Sequence, residues 1–424
     1  MIKTLVNAWK LPEVRKKIIY TLLLILIFRI GCMIPVPGVD SLQLAEYVES
    51  NSNSLVSTLN IISGGALTRL SIFTLSIGPY ITASIVVQLL TLAIPALEQM
   101  KREGEEGKKK MNRIMKYLTV VLAIFEGFGV FVTYGGSQGI FLLPNYVMIP
   151  IFLLTVTAGT AFLTWLGDQI TEKGIGNGIS LIIFAGIVSR IPNGCLTLYS
   201  YIVEKGAIGV LVVLLFAVIA LAAIVAVVAI QEGQRRIPVQ YAKRVVGRKV
   251  YGGQSTHIPI KVNSAGVIPV IFAMSILMFP GTIASFFPNS GFAQTITNIF
   301  DASGIFYNIL YALLIVFFTY FYSAISFNPV DVAENIKKNG GFIPGLRPGR
   351  PTSDYISKVM SRITLFGAIF LAAIAVLPAI IMGLTGLELY FGGTALLIVV
   401  GVALDTMKQL EASLLMRSYE GFMK

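Results

Sequence analysis

Residues 207–230 read AIGVLVVLLFAVIALAAIVAVVAI, from Ala207 to Ile230 without one charged side chain. A helix of about twenty apolar residues crosses the hydrocarbon of a bilayer, so a run this long and this free of charge reads as a membrane span rather than a buried core helix. Nine further runs read the same way: Ile18 to Val36, Ser71 to Ile94, Ile114 to Tyr134, Val147 to Leu166, Ile179 to Ser189, Ser264 to Ile283, Ile305 to Phe327, Ile363 to Met382 and Leu389 to Leu404. The run at Ile179 is too short to cross unless the glycine-rich turn before it, Gly174 to Gly178, also enters the membrane. Composition agrees: 55% hydrophobic and 13% charged residues, with a mean hydropathy of +0.79, exclude a soluble chain of 424 residues.

The 33 Lys and Arg residues orient these spans. They gather in alternate segments: Lys3, Lys10, Arg15, Lys16 and Lys17 before the first span, then Lys101, Arg102, Lys108, Lys109, Lys110 and Arg113 in the second loop, with Lys173 in the fourth. The sixth loop, about 231–262, holds Arg235, Arg236, Lys243, Arg244, Arg248, Lys249 and Lys261, and the eighth, about 328–358, holds Lys337, Lys338, Arg347, Arg350 and Lys358. Lys408, Arg417 and Lys424 follow the last span, whereas the loops of the opposite side carry only Arg69, Arg190 and Lys205. Basic loops stay in the cytoplasm, so both termini are expected there and the number of spans is even. The first run is long and lacks a small-residue cleavage site, so it reads as a span rather than a cleaved signal.

Ten spans divide into halves of five, about 1–190 and 191–424. Halves with an odd number of spans must point in opposite directions if they are related, which permits an inverted repeat. The expected fold is an all-α integral membrane protein of ten transmembrane helices in two inverted five-helix halves.

Chemistry is sparse. Only Arg29 and Glu126 lie well inside the spans, which weighs against ion-coupled transport and proton pumping. Arg29 stands six residues before Pro35 and is expected either to snorkel to the outer interface or to form an ion pair within the bundle. A single histidine, His257, excludes a His-x-x-x-His metal site, and no cofactor motif is present. Gly104, Gly107, Lys108 and Lys109 lack the spacing and the Ser or Thr of a phosphate-binding loop. Gly135 to Gly139 matches Gly-x-Ser-x-Gly around Ser137, but in an external loop, while His257 is cytoplasmic, so a hydrolase would lack its base. Cys32 and Cys195 form no disulfide pattern. No enzyme is indicated. A conduit remains, with a small-solute transporter as the alternative.

Between the first and second spans, Ser57 to Leu70 (STLNIISGGALTRL) is apolar yet too short to cross. Its Gly64-Gly65 pair breaks a helix or permits close packing. Such backbone is tolerated at membrane depth only inside protein or beside water, so this is a re-entrant plug or an interfacial helix.

The second span contains SIFTLSIGPYITASIVVQ (Ser71 to Gln88), and WLGDQITEKGIGNGIS (Trp165 to Ser180) precedes the fifth. The cytoplasmic loops carry QRR (Gln234 to Arg236), YAKR (Tyr241 to Arg244), QSTH (Gln254 to His257) and GFIPGLRPG (Gly341 to Gly349), and FGGT (Phe391 to Thr394) opens the last span. These stretches resemble the SecY family of protein-translocation channels from the first span to the tenth. Ser76 departs from the pattern, standing where the family often has glycine.

The resemblance implies a protein-conducting channel in the bacterial plasma membrane. Its narrowest point would be lined by Ile77 and Ile81, Ile179 and Ile183, Ile271 and Ile398. The four-residue spacing of the first two pairs puts each on one helical face, which core packing would equally explain. The resemblance also implies a plug at Ile61, Ile62, Ser63, Gly64 and Gly65, and a lateral gate between spans 2 and 3 and spans 7 and 8, lined by Gln88. It implies docking of the SecA ATPase and the ribosome, ribosomal RNA included, at Arg235, Arg236, Arg248, Lys249 and Arg347. The small membrane subunits SecE and SecG would clamp the halves, and signal sequences, unfolded polypeptides and membrane lipids would be the remaining partners.

Overall fold

In a computed structural model, residues 9–40, 43–44, 64–135, 139–241, 244–246, 249–251, 255–285, 290–300, 304–385 and 393–422 are described. Their helices are α1 (Pro12–Gly31), α2 (Gly78–Ala93), α3 (Pro95–Arg102), α4 (Glu105–Gly135), α5 (Asn145–Lys173), α6 (Gly178–Val188), α7 (Ile191–Glu232), α8 (Ile268–Ser285), α9 (Gly291–Ile299), α10 (Ile305–Ser326), α11 (Pro329–Lys338), α12 (Arg350–Thr385) and α13 (Gly393–Phe422). Each of the ten apolar runs carries one of these helices.

Glu105–Tyr134, Asn145–Lys173, Gly178–Glu232, Ile305–Lys338, Arg350–Gly383 and Gly393–Leu415 are each long and apolar enough to cross a bilayer unaided. Between Gly78–Ala93 and Pro95–Lys101 the chain bends by 107°, so α3 leaves the axis of the second span. Proline starts helices where its missing N–H costs nothing, at the first turn of α1, α2, α3, α7 and α11. Inside α7, Gly206 takes φ 58 and breaks the helix, separating a shorter N-terminal piece from the span quoted above. Cys195 stands on the piece before that break, and it is exposed.

The apolar faces meet in two large clusters. One gathers α8, α10 and α12 around Phe272, Leu277, Tyr311, Ile315, Phe318 and Leu371. The other gathers α1, α5, α6 and α13 around Phe28, Leu163, Leu166, Ile170, Ile182 and Ile398. Along α7, Leu211, Leu214, Leu215, Val218, Leu221 and Val225 stay exposed. Leucine and valine covering a whole helix face suit contact with lipid tails, which satisfy apolar side chains as a core does.

The sixth and eighth loops form one body. Strand β1 (Gln234–Tyr241) pairs antiparallel with β4 (Ser255–Lys261), Ile237 opposite Ile258, and the short β5 (Gly341–Phe342) adds to the other edge of β1. An outer hairpin joins β2 (Arg244–Val246) to β3 (Lys249–Tyr251). Alternation drives the pairing: Ile237 and Val239 are buried while Arg236, Pro238 and Gln240 face out. Beneath the sheet, Ile260, Ile336 of α11, Ile343 and Ile356 of α12 close a separate apolar cluster. The all-α expectation thus holds for the spans, and the loops add strands to it.

Candidate functional site

The segment between the 3-10 turn Leu67–Arg69 and α2 is seated in notches. The Ile72 N–H donates to the Ile34 carbonyl at 2.9 Å, and the Val36 N–H to the Leu70 carbonyl at 2.9 Å. The Phe73 ring occupies the place where a Cβ on Gly31 would stand, and the Ile72 carbonyl lies where a Cβ on Gly159 would stand. Phe73 also stacks between Phe28 and Phe162, with ring centroids 6.1 Å from each. Two buried non-glycine residues here adopt left-handed backbone, Leu70 at φ 40 and Ser76 at φ 50. Glycine would suit the second without strain, which gives the departure at Ser76 a backbone reason. Ile77 caps α2 and is 1% exposed.

On α6 the Asn177 side chain caps the helix by accepting from the Ser180 N–H at 3.2 Å. The glycine turn before it is packed rather than loose: the Ile175 N–H donates to Thr21 Oγ1 at 3.1 Å, and a Cβ on Gly176 would lie 3.2 Å from Thr406 Oγ1. Ile179 lies against Gly167, and Ile183 follows one turn later.

These elements bring the six isoleucines together. Ile77, Ile183 and Ile398 are buried in one cluster, and Ile81, Ile179 and Ile271 are partly buried against it. Residues from α2, α6, α8 and α13 thereby converge on one apolar locus with no charged member. Such a locus offers water no partners, so a narrow passage through it would dewet, and it offers a passing chain nothing to bind.

Of the plug residues, Ile61, Ile62 and Ser63 lie outside the described residues, whereas Gly64 and Gly65 adopt φ 64 and φ 91. Arg29 Nη1 donates to the Gly64 carbonyl at 3.2 Å. Neither expectation for Arg29, the interface or an ion pair, anticipated this bond to backbone, which only the folded chain brings within reach. Gln88 is half-buried on α2 and donates from Nε2 to Ser84 Oγ at 3.1 Å. Near it, Ile85 and Leu89 pack into the cluster that holds α8 and α10, so the seam between the halves is filled with apolar side chains. Glu126 on α4 receives the Thr82 hydroxyl at 3.5 Å, and Lys116 Nζ meets Asp168 Oδ2 at 2.6 Å, tying α4 to α5.

Arg235 and Arg236 are exposed on β1, Lys249 lies on β3, and Arg347 is exposed after β5; Arg248 lies outside the described residues. The sheet thus presents Arg235, Arg236 and Arg347 from a single platform. His257 is exposed on β4 with Nδ1 2.9 Å from the Thr256 carbonyl, and Ser137 lies outside the described residues. No group of His, Cys, Asp and Glu among the described residues could hold a metal ion.

Sequence reasoning missed the supports of this site: Gly31, Gly159 and Gly167, which admit Phe73, Ile72 and Ile179, and the Arg29 bond to Gly64. The small residues on spans 1 and 4 were the available signal.

Comparison with known proteins gives consistent matches. The family model for SecY matches residues 71–407. The chain is 47% identical over 422 residues to the protein translocase subunit SecY of Aquifex aeolicus, covering 98% of each chain. It is 48% identical to that of Halalkalibacterium halodurans, covering 100% of each, and 44% identical to that of Escherichia coli, covering 98% of this chain and 95% of the relative. Among solved structures, a protein conducting channel superposes with a TM-score of 0.63 at 21% identity, covering 93% of this chain and 91% of that one. Sec61 in the canine ribosome-channel complex superposes with a TM-score of 0.60 at 18% identity over the same shares, so the fold is that of these channels.

Proposed function

The chain belongs to the SecY family of protein translocase subunits, and from that premise we propose that it is the channel-forming subunit through which unfolded secretory proteins cross the bacterial plasma membrane. In this reading Ile77, Ile81, Ile179, Ile183, Ile271 and Ile398 form the constriction, and the stretch around Ile61, Ile62, Ser63, Gly64 and Gly65 closes it. The observation that carries the reading is the convergence of those six side chains, from four separate spans, on one uncharged apolar cluster. An apolar ring seals against ions by excluding water and still lets side chains of any chemistry slide past.

The same reading assigns the seam between α2 and α4 on one side and α8 and α10 on the other as a lateral gate, with Gln88 on its wall. A signal sequence at an open seam would sort itself, because each Leu or Ile favours lipid by a few tenths of a kcal/mol. The two five-span halves, 1–190 and 191–424, would part there while SecE and SecG hold them together elsewhere.

Movement needs an outside engine, since the chain carries neither a nucleotide site nor a catalytic group in this scheme. SecA or the ribosome would dock on the cytoplasmic body through Arg235, Arg236, Arg248, Lys249 and Arg347, with both termini on the same side. Contact with ribosomal RNA through these cations would weaken as salt rises, because counterions released from phosphate are the driving term.

Crosslinking tests the proposal. A secretory chain stalled in transit should crosslink to single cysteines placed at Ile77, Ile179 and Ile398. Crosslinks confined to lipid-facing positions such as Leu214 or Val218 would overturn it.

A further inference from the structure

The first stretch of α7, Ile191 to Lys205, is set off from the rest of the helix by the break at Gly206. The turn there is sharp. A Cβ on Gly209 would stand 2.8 Å from the Tyr201 carbonyl oxygen and 3.1 Å from Ile202 Cα, whereas seven residues of unbroken helix rise about 10 Å. The apolar run from Ala207 to Ile230 rises about 36 Å as a helix, enough to cross roughly 30 Å of hydrocarbon. That run uses the full thickness of the bilayer, so the stretch turned aside before it starts at the membrane edge.

Three faces divide this stretch. Gly194 is buried and Leu198, Tyr201 and Ile202 are half-buried, so one side packs on the protein. Leu196, Tyr199 and Val203 are 66%, 67% and 67% exposed, and their spacing of three and four residues keeps them within an arc of about 60°. Asn193, Ser200 and Glu204 are exposed beside them, on an adjoining arc of about 40°. Exposed apolar and polar residues are thus sorted to separate sides. A helix sorted in this way lies in the plane of the bilayer boundary, its apolar side among acyl chains and its polar side among headgroups. The ring of Tyr199, apolar with a polar tip, suits that level. Past the break the exposed apolar surface continues along the chain. Ile208 and Leu211, 71% and 68% exposed, open the flank of α7 that suits lipid tails.

We infer that Ile191 to Lys205 is an interfacial helix that docks on the bilayer itself, with Leu196, Tyr199 and Val203 among the acyl chains next to the headgroups and Asn193, Ser200 and Glu204 toward water. Only Ser189 and Arg190 separate it from α6. The anchor therefore holds that end of α6, the helix carrying Ile183, at the membrane boundary.

The test places a nitroxide spin label on the full chain reconstituted, with no other protein, in vesicles of phosphatidylcholine and phosphatidylglycerol. Labels go one at a time on Leu196→Cys, Tyr199→Cys and Val203→Cys, and on Asn193→Cys, Ser200→Cys and Glu204→Cys, all in chains carrying Cys195→Ala; Cys32 is buried. Power saturation compares collisions with oxygen, which concentrates in lipid, and with a nickel chelate, which stays in water. The oxygen-to-nickel ratio should be at least fivefold higher at each apolar site than at each polar one. A smaller difference would overturn the inference, because the apolar side would then stand in water as a surface for a protein partner. Low access to both reagents at the apolar sites, the mark of contact with a second copy, would overturn it as well. Should a substituted chain fail to reconstitute, native Cys195, exposed on the same stretch, carries the label without any substitution. Oxygen must reach that label more readily than nickel, and the reverse refutes the docking.

Discussion

The Thr171 hydroxyl near the end of α5 accepts the N–H of Gly178, the first residue of α6, at 2.9 Å. The same hydroxyl donates to the Gly167 carbonyl at 2.9 Å, and that carbonyl oxygen occupies the place where a Cβ on Gly178 would stand. One side chain thus joins spans 4 and 5 across the glycine turn and sets the start of the helix that carries Ile179 and Ile183.

Gly178→Ala should therefore destabilise the chain by roughly 1–3 kcal/mol, since the Gly167 backbone leaves the methyl no room. Thr171→Val keeps the shape and loses the hydrogen bonds, at about 1 kcal/mol each. Unfolding midpoints in detergent measure both, and a neutral Gly178→Ala would mean that the turn is looser than the packing around it implies.

Ile183→Asn puts an amide among apolar neighbours, where an unpartnered polar group costs roughly 1–3 kcal/mol. Closed states lose that much against hydrated ones, so ion efflux and export of precursors with defective signals should both increase. Unchanged efflux in Asn variants of Ile77, Ile183 and Ile398 alike would count against the constriction.

Arg347→Glu reverses a charge on an exposed side chain, so folding and insertion should be unaffected. Motor-driven export in inverted vesicles should fall strongly while the protease-protection pattern of the spans stays wild type. Normal export would remove Arg347 from the docking role.

Ile237→Ala cuts into the small apolar cluster beneath the three-stranded sheet, where Ile237 is 2% exposed. Loss of roughly 2–5 kcal/mol is expected from a buried Ile to Ala change. Because β1 joins both loops, limited proteolysis should accelerate in the sixth and the eighth loop together, and cleavage in only one would contradict the three-stranded arrangement.

Much of the architecture was legible along the chain. Uninterrupted apolar runs such as Ala207 to Ile230 announce spans, because a bilayer rejects unpaired charge wherever it meets it. The strands of the sixth and eighth loops were less visible: the alternation of Ile237 and Val239 is only a few residues long and sits among arginines that draw the reading toward a charged loop. The isoleucines of the candidate site carried no signal of their own, since Ile183 and its neighbours look like any apolar helix face, and their grouping rested on the resemblance of long motifs.

Composition and the order of apolar runs determine that this chain lives in a membrane, because that property depends on residue type and position along one dimension. Which side chains meet is another matter. Arg29 and Gly64 lie thirty-five positions apart, and Ile77 and Ile398 come from opposite halves. Only packing under close contact, through notches such as Gly31, Gly159 and Gly167, decides those neighbours, because short-range contact energies act on distance in space and leave no fixed spacing in the sequence.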